Sequence, residues 1–408
     1  MTALLPQPIL FINEQKKSKE SAMYLKVFRD DIIEGLQKSA AIIPAKTGAA
    51  VLRTIWLKVE NDSLRIMSTD SNLEFCGWYN AEIVEKGLVG VQGRSFYDLI
   101  RKLPPGQITL RVDQDAQQLS IQQNSRKYKL PTNEASWFTD FSEFPEEGSV
   151  FWSGDFLQDL IDRTAYCISE EDTMEAIACM NLTPSKTTEH IEACGLNGHQ
   201  FAMTRFLQDD LRALLPEGGV LIQRKFLAEL KKWLSADEIE LNIDNKRLFF
   251  RTADKKEQFS LPLSFYQYPD YNAFLSKIRE DGVCQLTVDR LEMVDTLERI
   301  MIFNTDNNRC TYFQFAGNEL TLYSQGQDVG TASESLEVEF SGDLKKIAFP
   351  TRNLIEILNH FQSEKVTFRL TGAEGPCGIV GADDSDYQVI IMPMKIVEET
   401  YYSEEDGN

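Results

Sequence analysis

Three segments of this 408-residue chain share one pattern, and their spacing limits the possible folds more than any other feature. Residues 93–103 (GRSFYDLIRKL), 223–234 (QRKFLAELKKWL) and 350–361 (PTRNLIEILNHF) each start with a basic residue and carry apolar residues at helical spacing. Their first basic residues, Arg94, Arg224 and Arg352, fall roughly 130 residues apart, the mark of an internal repeat. Alternating, strand-like stretches follow each segment: 108–112, 119–123 and 127–131, then 239–243, 247–251 and 258–262, then 366–370, 378–381 and 388–393. These close on Pro131, Pro262 and Pro393, so the interval is 131 residues both times (262 − 131 and 393 − 262). Each copy also opens with an amphipathic helix, marked by Ile32, Ile33 and Leu36, by Phe156, Leu157, Leu160, Ile161, Ala165 and Ile168, and by Leu291, Val294, Leu297 and Met301. In the first copy, strand-like alternation over 55–59, 63–68 and 74–79 comes next. The expected fold class is therefore α+β, with three repeated domains at 24–146, 149–272 and 283–396, each of ordinary domain size. An N-terminal extension (1–23) and an acidic C-terminal tail (397–408) flank them. The linkers lack Gly/Ser or Pro-rich spacers, which predicts a fixed arrangement of neighbouring repeats.

Charge narrows the function. With 42 Lys and Arg against 63 Asp and Glu, the net charge is −21, which excludes a protein that coats nucleic acid through a generally basic surface. Any contact with DNA must come from a local basic patch. The seven cysteines are scattered with no CxxC pair, as in a reduced, cytoplasmic protein whose thiols fill core space. The apolar run 9–12 precedes Lys16, Lys17 and Lys19, the reverse of the order in a secretory signal.

No catalytic constellation is visible. There is no glycine-rich phosphate loop ending in Lys-Ser/Thr, no GxSxG and no HExxH. His190-Ile-Glu192 is half of a zinc-deaminase motif, but Pro376-Cys377 lacks the second cysteine that would complete it. Three histidines in the whole chain argue further against metal chemistry, so neither a metal nor another cofactor is expected. A non-ring repeat scaffold that binds proteins through its sheets is the alternative to the reading developed below.

Several stretches carry a resemblance: residues 64–70 (LRIMSTD), the Gly198-His199 turn, residues 268–271 (YPDY) and residues 391–396 (IMPMKI). Together with the three-fold repeat, they make residues 24–396 resemble the beta subunit of bacterial DNA polymerase III, the DNA sliding clamp family. The resemblance implies two helices on the inner side of each domain and antiparallel sheets outside. It further implies a head-to-tail homodimer closing a six-domain ring around duplex DNA. Such a clamp tethers the replicative polymerase for processive synthesis. It is non-catalytic, is opened by an ATP-driven clamp loader, and meets polymerase and repair proteins through short linear peptides, with no membrane role.

Site residues follow from both readings. The basic positions that head the second helices, Arg94, Arg224, Lys225 and Arg352, are expected to face DNA, with Arg101, Lys102, Arg163, Lys231 and Lys232 as secondary candidates. A clamp must slide, and sequence-independent phosphate contacts permit this where base contacts would not. By resemblance, Lys46 takes a position where the family has a DNA-contacting arginine, and a second DNA loop falls on the acidic residues 169–173. The family's peptide groove maps to Ile177, Leu196, Gly198, His199, Phe201, Pro269, Phe274, Ile390, Ile391, Met392, Pro393, Met394, Lys395 and Ile396. Gln200 and Ala273 stand where the family often has arginines. Ring closure maps to Tyr128 and Leu130, beside Arg126, Lys127 and Lys129, facing Ile302 and Phe303 of the partner chain.

Overall fold

The computed structural model describes residues 23–44, 49–60, 62–113, 117–171, 173, 175–280, 282–306, 308–326 and 329–396. Both helices expected in each repeat are present. The first repeat holds Arg29–Ile42 (α1) and Gly93–Lys102 (α2). The second holds Gly154–Ala165 (α3), a short helix Asp209–Leu214 (α4) and Arg224–Trp233 (α5), and Asn272–Arg279 (α6) follows it. The third holds Arg290–Met301 (α7) and Thr351–Asn359 (α8). The apolar stripes read from the sequence are the buried faces. In α2 they bury Phe96 and Ile100, in α5 Phe226, Leu227, Leu230 and Trp233, and in α8 Leu354, Ile355, Ile357 and Leu358. Each such side chain contributes about 1.5–3 kcal/mol on leaving water, which outweighs the weak intrinsic stability of ten-residue helices. The helices α1 and α2, α3 and α5, and α7 and α8 pack in pairs.

The chain divides into two units, one ending at Ser142 and the other beginning at Glu143. In the first unit nine antiparallel strands run in the order 74–80, 63–69, 54–60, 88–92, 126–133, 118–123, 107–113, 24–28 and 82–85. One core lies under α1 and α2, centred on Leu25, Ile66, Phe96, Ile100 and Leu110.

The second unit contains the second and third repeats together. Strand Gln200–Phe206 pairs antiparallel with Tyr387–Ile391, so a nine-stranded sheet passes from one repeat into the other without a break. A second sheet is built from 150–153, 238–243, 247–252 and 257–262, and a third from 330–337, 319–326, 310–316 and 346–350. The largest core, around Phe313, Phe349, Leu354 and Phe368, lies under α7 and α8. All seven cysteines are free and buried, and burial pushes the Cys76 thiol up to about 12. No helix among the described residues is long and apolar enough to cross a membrane.

Candidate functional site

The arginines that begin the helices have a structural task that the sequence did not disclose. Four of them, at the starts of α1, α2, α5 and α7, reach a backbone carbonyl near the far end of the partner helix. Arg29 donates to the carbonyls of Ile100 and Arg101, Arg94 to Ile43, Arg224 to Ile168, and Arg290 to Ser363. A positive charge at a helix N-terminus opposes the dipole, and placing it against the carbonyl end of an antiparallel neighbour relieves the conflict. A guanidinium has five donors, so one carbonyl bond leaves others free.

The DNA-facing candidates consequently separate. Arg94, Lys225 and Arg352 are exposed and form no ion pair among the described residues. Arg224 is partly engaged, with Glu170 of the acidic loop 2.9 Å from its guanidinium. These two side chains, with Lys225, Glu175 and Tyr266, line a hollow of about 470 Å³. Arg101 and Lys232 pair with Asp98 (3.0 Å) and Glu229 (2.7 Å) on their own helices, and Lys231 pairs with Asp162. All of these sit in last helical turns, where positive charge is locally favoured. Lys46 lies outside the described residues, as do the extension 1–22, Asp172 in the acidic loop and the tail 397–408.

Arg163 needs correction. It was expected beside the exposed bases, yet its side chain is only 15% exposed. Its guanidinium pairs with Asp159 at 2.8 Å and lies over the Tyr387 ring at 5.3 Å. It belongs to a polar knot that ties α3 to the third repeat. In this knot the Tyr166 and Tyr387 hydroxyls are 2.8 Å apart, and the His360 ring stacks on Tyr166 at 4.3 Å. Burial lowers the His360 pKa below its ordinary 6.5. The folded state therefore favours neutral His360, and this contribution is full above the unfolded value and lost as pH falls through it toward the folded one. The melting temperature is expected to drop between pH 7 and pH 5, and His360→Phe, which keeps the stack, should flatten that drop. An equal slope in the variant would contradict the assignment.

The joint between the two paired strands gathers much of the expected groove. Leu196, Phe201, Phe274 and Ile390 belong to one apolar cluster. The Phe201 ring lies 5.1 Å from Tyr271 and 5.4 Å from Phe274. Ile177 joins Leu196 through Ser169, whose amide donates to both carbonyls. Gly198 has φ +88°, a left-handed turn that favours glycine, and it presents His199 to solvent. The His199 carbonyl accepts from the Met392 amide at 2.9 Å, and the Met394 amide donates to the Ala348 carbonyl at 2.7 Å. Met392, Met394, Pro269 and Lys395 are exposed, whereas Pro393 and Ile396 are half-buried. Ile391 departs from expectation: it is fully buried in the third repeat's core and cannot line a groove, because alternation along its strand turns it away from Ile390.

Sequence reading missed α6, which supplies Leu275 and Ile278 to this cluster, with Tyr271 just before its first turn. The 274/275/278 spacing was the available signal. Nor did the sequence reveal the partners of Glu192, which is buried and accepts from Arg205 at 3.0 Å and from the Tyr271 hydroxyl. That use of Glu192 removes it from the half-motif with His190, and among the described residues no group of three or more His, Cys, Asp or Glu could hold a metal.

The dimer candidates occupy two edges. Strand Arg126–Asn133 pairs with Gln118–Gln123 on one side; on the other only Thr132 and Asn133 pair, with Val91 and Gly90. Arg126, Lys127 and Lys129 are exposed there, while Tyr128 and Leu130 pack partly on the first unit's core. In the second unit, Ile302 is 72% exposed at the end of α7 and Phe303 is half-buried. The edge strand Gly330–Glu337 carries Glu334 and Glu337.

Residues 23–142 match a family model described as the DNA polymerase III beta subunit, N-terminal domain, and residues 279–395 match that of its C-terminal domain. The beta sliding clamp of Pseudomonas aeruginosa is 24% identical over 379 residues, covering 92% of this chain and 100% of that protein. The beta sliding clamp of Caulobacter vibrioides is 22% identical over 380 residues, with the same coverage. Among solved structures, the P. aeruginosa sliding clamp bound to griselimycin superposes with a TM-score of 0.82 at 23% identity, covering 92% of this chain and 100% of that one. The Caulobacter crescentus beta sliding clamp gives 0.85 at 22% identity, again with 92% and 100% covered.

Proposed function

The chain belongs to the DNA polymerase III beta-subunit family, and from that premise we propose that it works as a DNA sliding clamp, holding the replicative polymerase on duplex DNA by encirclement. Its role is non-catalytic. Two copies close head to tail into a six-domain ring in the cytoplasm, and an external ATP-driven loader opens it. One observation carries the DNA-facing part: on a chain of net charge −21, the second helix of each repeat begins with an exposed base without an ion pair among the described residues, Arg94, Lys225 and Arg352. Such a surface gives weak, salt-sensitive phosphate contact while the acidic remainder is repelled, which suits sliding.

Charge reversal at Arg224 and Lys225 is the direct test. The double variant should bind short linear duplex DNA more weakly than the parent, with its salt slope reduced by about two phosphate contacts. Affinity and slope equal to the parent's would remove these residues from the DNA-facing set.

The seam in the second unit is the proposed docking site for polymerase, loader and repair proteins. Leu196, Phe201, Phe274 and Ile390 form an apolar floor, with Ile177 tied to Leu196 through the Ser169 amide, and the exposed Met392 and Met394 add flexible side chains that suit varied peptide anchors. Gln200 is buried rather than at the rim and Ala273 is exposed, so neither supplies charge to a peptide, and recognition depends more on apolar anchors. Met392→Ala should weaken a fluorescent clamp-binding peptide about tenfold or more, or roughly 1.4 kcal/mol. It should alter stability by no more than about 0.5 kcal/mol, since Met392 is exposed and held through its backbone. Unchanged peptide affinity would place the docking site elsewhere.

A further inference from the structure

Helix α6 ends on a group of arginines that none of these functions uses. Residues opposite one another on paired strands, and residues two apart on one strand, share a sheet face. Glu192 faces Arg205, Met203 faces Gln388, Gln388 faces Val380, and Gly378 faces Arg369. Glu192, Arg205, Gln388 and Arg369 therefore share one face of the nine-stranded sheet. Helix α6 lies on that face, so close that a Cβ on Gly378 would come within 2.5 Å of Ile278. Arg279, the last residue of α6, lines a small cavity together with Arg369 and Gln388.

The charges there do not balance. The one carboxylate among these residues, Glu192, is buried and committed to Arg205 and the Tyr271 hydroxyl. Arg279 and Arg369 form no ion pair among the described residues, and the Gln388 amide nitrogen is buried without a hydrogen-bond partner there. Burial, then the like charges of Arg205 and Arg369, lowers the Arg279 pKa, so the guanidiniums feel one another. A basic residue in the last helical turn is locally favourable, which accounts for Lys277 and Arg279. It does not account for two further arginines arriving from separate strands.

We propose that Arg205, Arg279 and Arg369 form a carboxylate-binding patch, and that its occupant is the acidic segment 398–406 of this same chain. That segment brings Glu398, Glu399, Glu404, Glu405 and Asp406, and guanidinium forks pair well with carboxylates. It is also tethered to the same sheet. Strand Tyr387–Ile391, which carries Gln388, runs on to Ile396, where the described residues end. Eight to ten further residues reach up to roughly 26–36 Å, whereas α6 is only about 12 Å long. Tethering places the segment at an effective concentration of about millimolar, so modest intrinsic affinity is enough.

The test uses a labelled synthetic peptide of residues 396–408. The receptor is the full chain with its own segment neutralised (Glu398→Gln, Glu399→Gln, Glu404→Gln, Glu405→Gln and Asp406→Asn). The peptide should bind this receptor at least tenfold more tightly than it binds the parent chain, whose own segment competes. Binding should fall with added salt, and by tenfold or more when Arg279→Gln and Arg369→Gln are introduced. Arg279→Gln alone, at an exposed helix end, serves if the pair disturbs folding. No binding, equal binding to both chains, or indifference to the arginine substitutions would overturn the proposal. Inorganic phosphate binding equally well to both chains would show a general anion site and would also overturn the assigned occupant.

Discussion

Ile302→Asp is expected to turn the dimer into a monomer without unfolding the chain. Ile302 is 72% exposed at the end of α7, so an aspartate there meets water in the isolated protomer and disturbs little. In the proposed ring the same side chain is buried against Tyr128 and Leu130 of the partner. A carboxylate would then be desolvated beside apolar groups, at a cost of about 2 kcal/mol or more per interface, typical of a central contact. A head-to-tail ring has two such interfaces. The total of about 4 kcal/mol corresponds to a roughly thousandfold weaker dimer. The open edge beside Tyr128 carries Arg126, Lys127 and Lys129, and the third repeat's edge strand carries Glu337, while its Glu334 is held by Arg299 at 2.7 Å, so charge should also guide closure. Sedimentation at micromolar concentration reads the result. A dimer as tight as the parent's would move the closure surface elsewhere.

Phe201→Ala should be the most destabilising change at the seam, costing about 3–5 kcal/mol. Phe201 is 1% exposed, contacts the rings of Tyr271 and Phe274, and lies on the strand that joins the second and third repeats. Its removal leaves a cavity that neighbours on two strands and α6 cannot easily fill. Denaturant unfolding should show the loss, and peptide affinity should fall with it. Met392→Ala separates the two effects, since its loss is expected in affinity alone. A Phe201→Ala chain as stable as the parent would mean that the cluster does not hold the joint.

Much of the fold was legible because its signals are local. The 3.6-residue stripes of α2, α5 and α8 and the two-residue alternation after them appear where the sequence placed them, most strand ends lying a residue or two beyond the sequence ranges. Short helices were not legible. Helices α4 and α6 span six and eight residues, too few for a periodic signal to stand out, and α6 occupies the stretch that the sequence reading left between the second and third repeats. The site was less legible than the fold, because it depends on partners distant in sequence. Nothing near Arg94 or Arg224 indicates an accepting carbonyl just beyond the end of another helix, and nothing near Arg163 points to Tyr387 or Asp384. The burial of Ile391 follows from strand register rather than from its motif. Arg205, Arg279 and Arg369 are unremarkable in sequence and form a group only once the sheet and α6 assemble.

Retention on DNA is topological: a closed ring surrounds the duplex, and adhesion contributes little. Loaded onto nicked circular DNA and then passed through a sizing column in moderate salt, the protein should remain with the circle. Cutting the circle once should release it within the time of the run. Equal retention on circular and linearised DNA would show that binding, rather than enclosure, holds the protein.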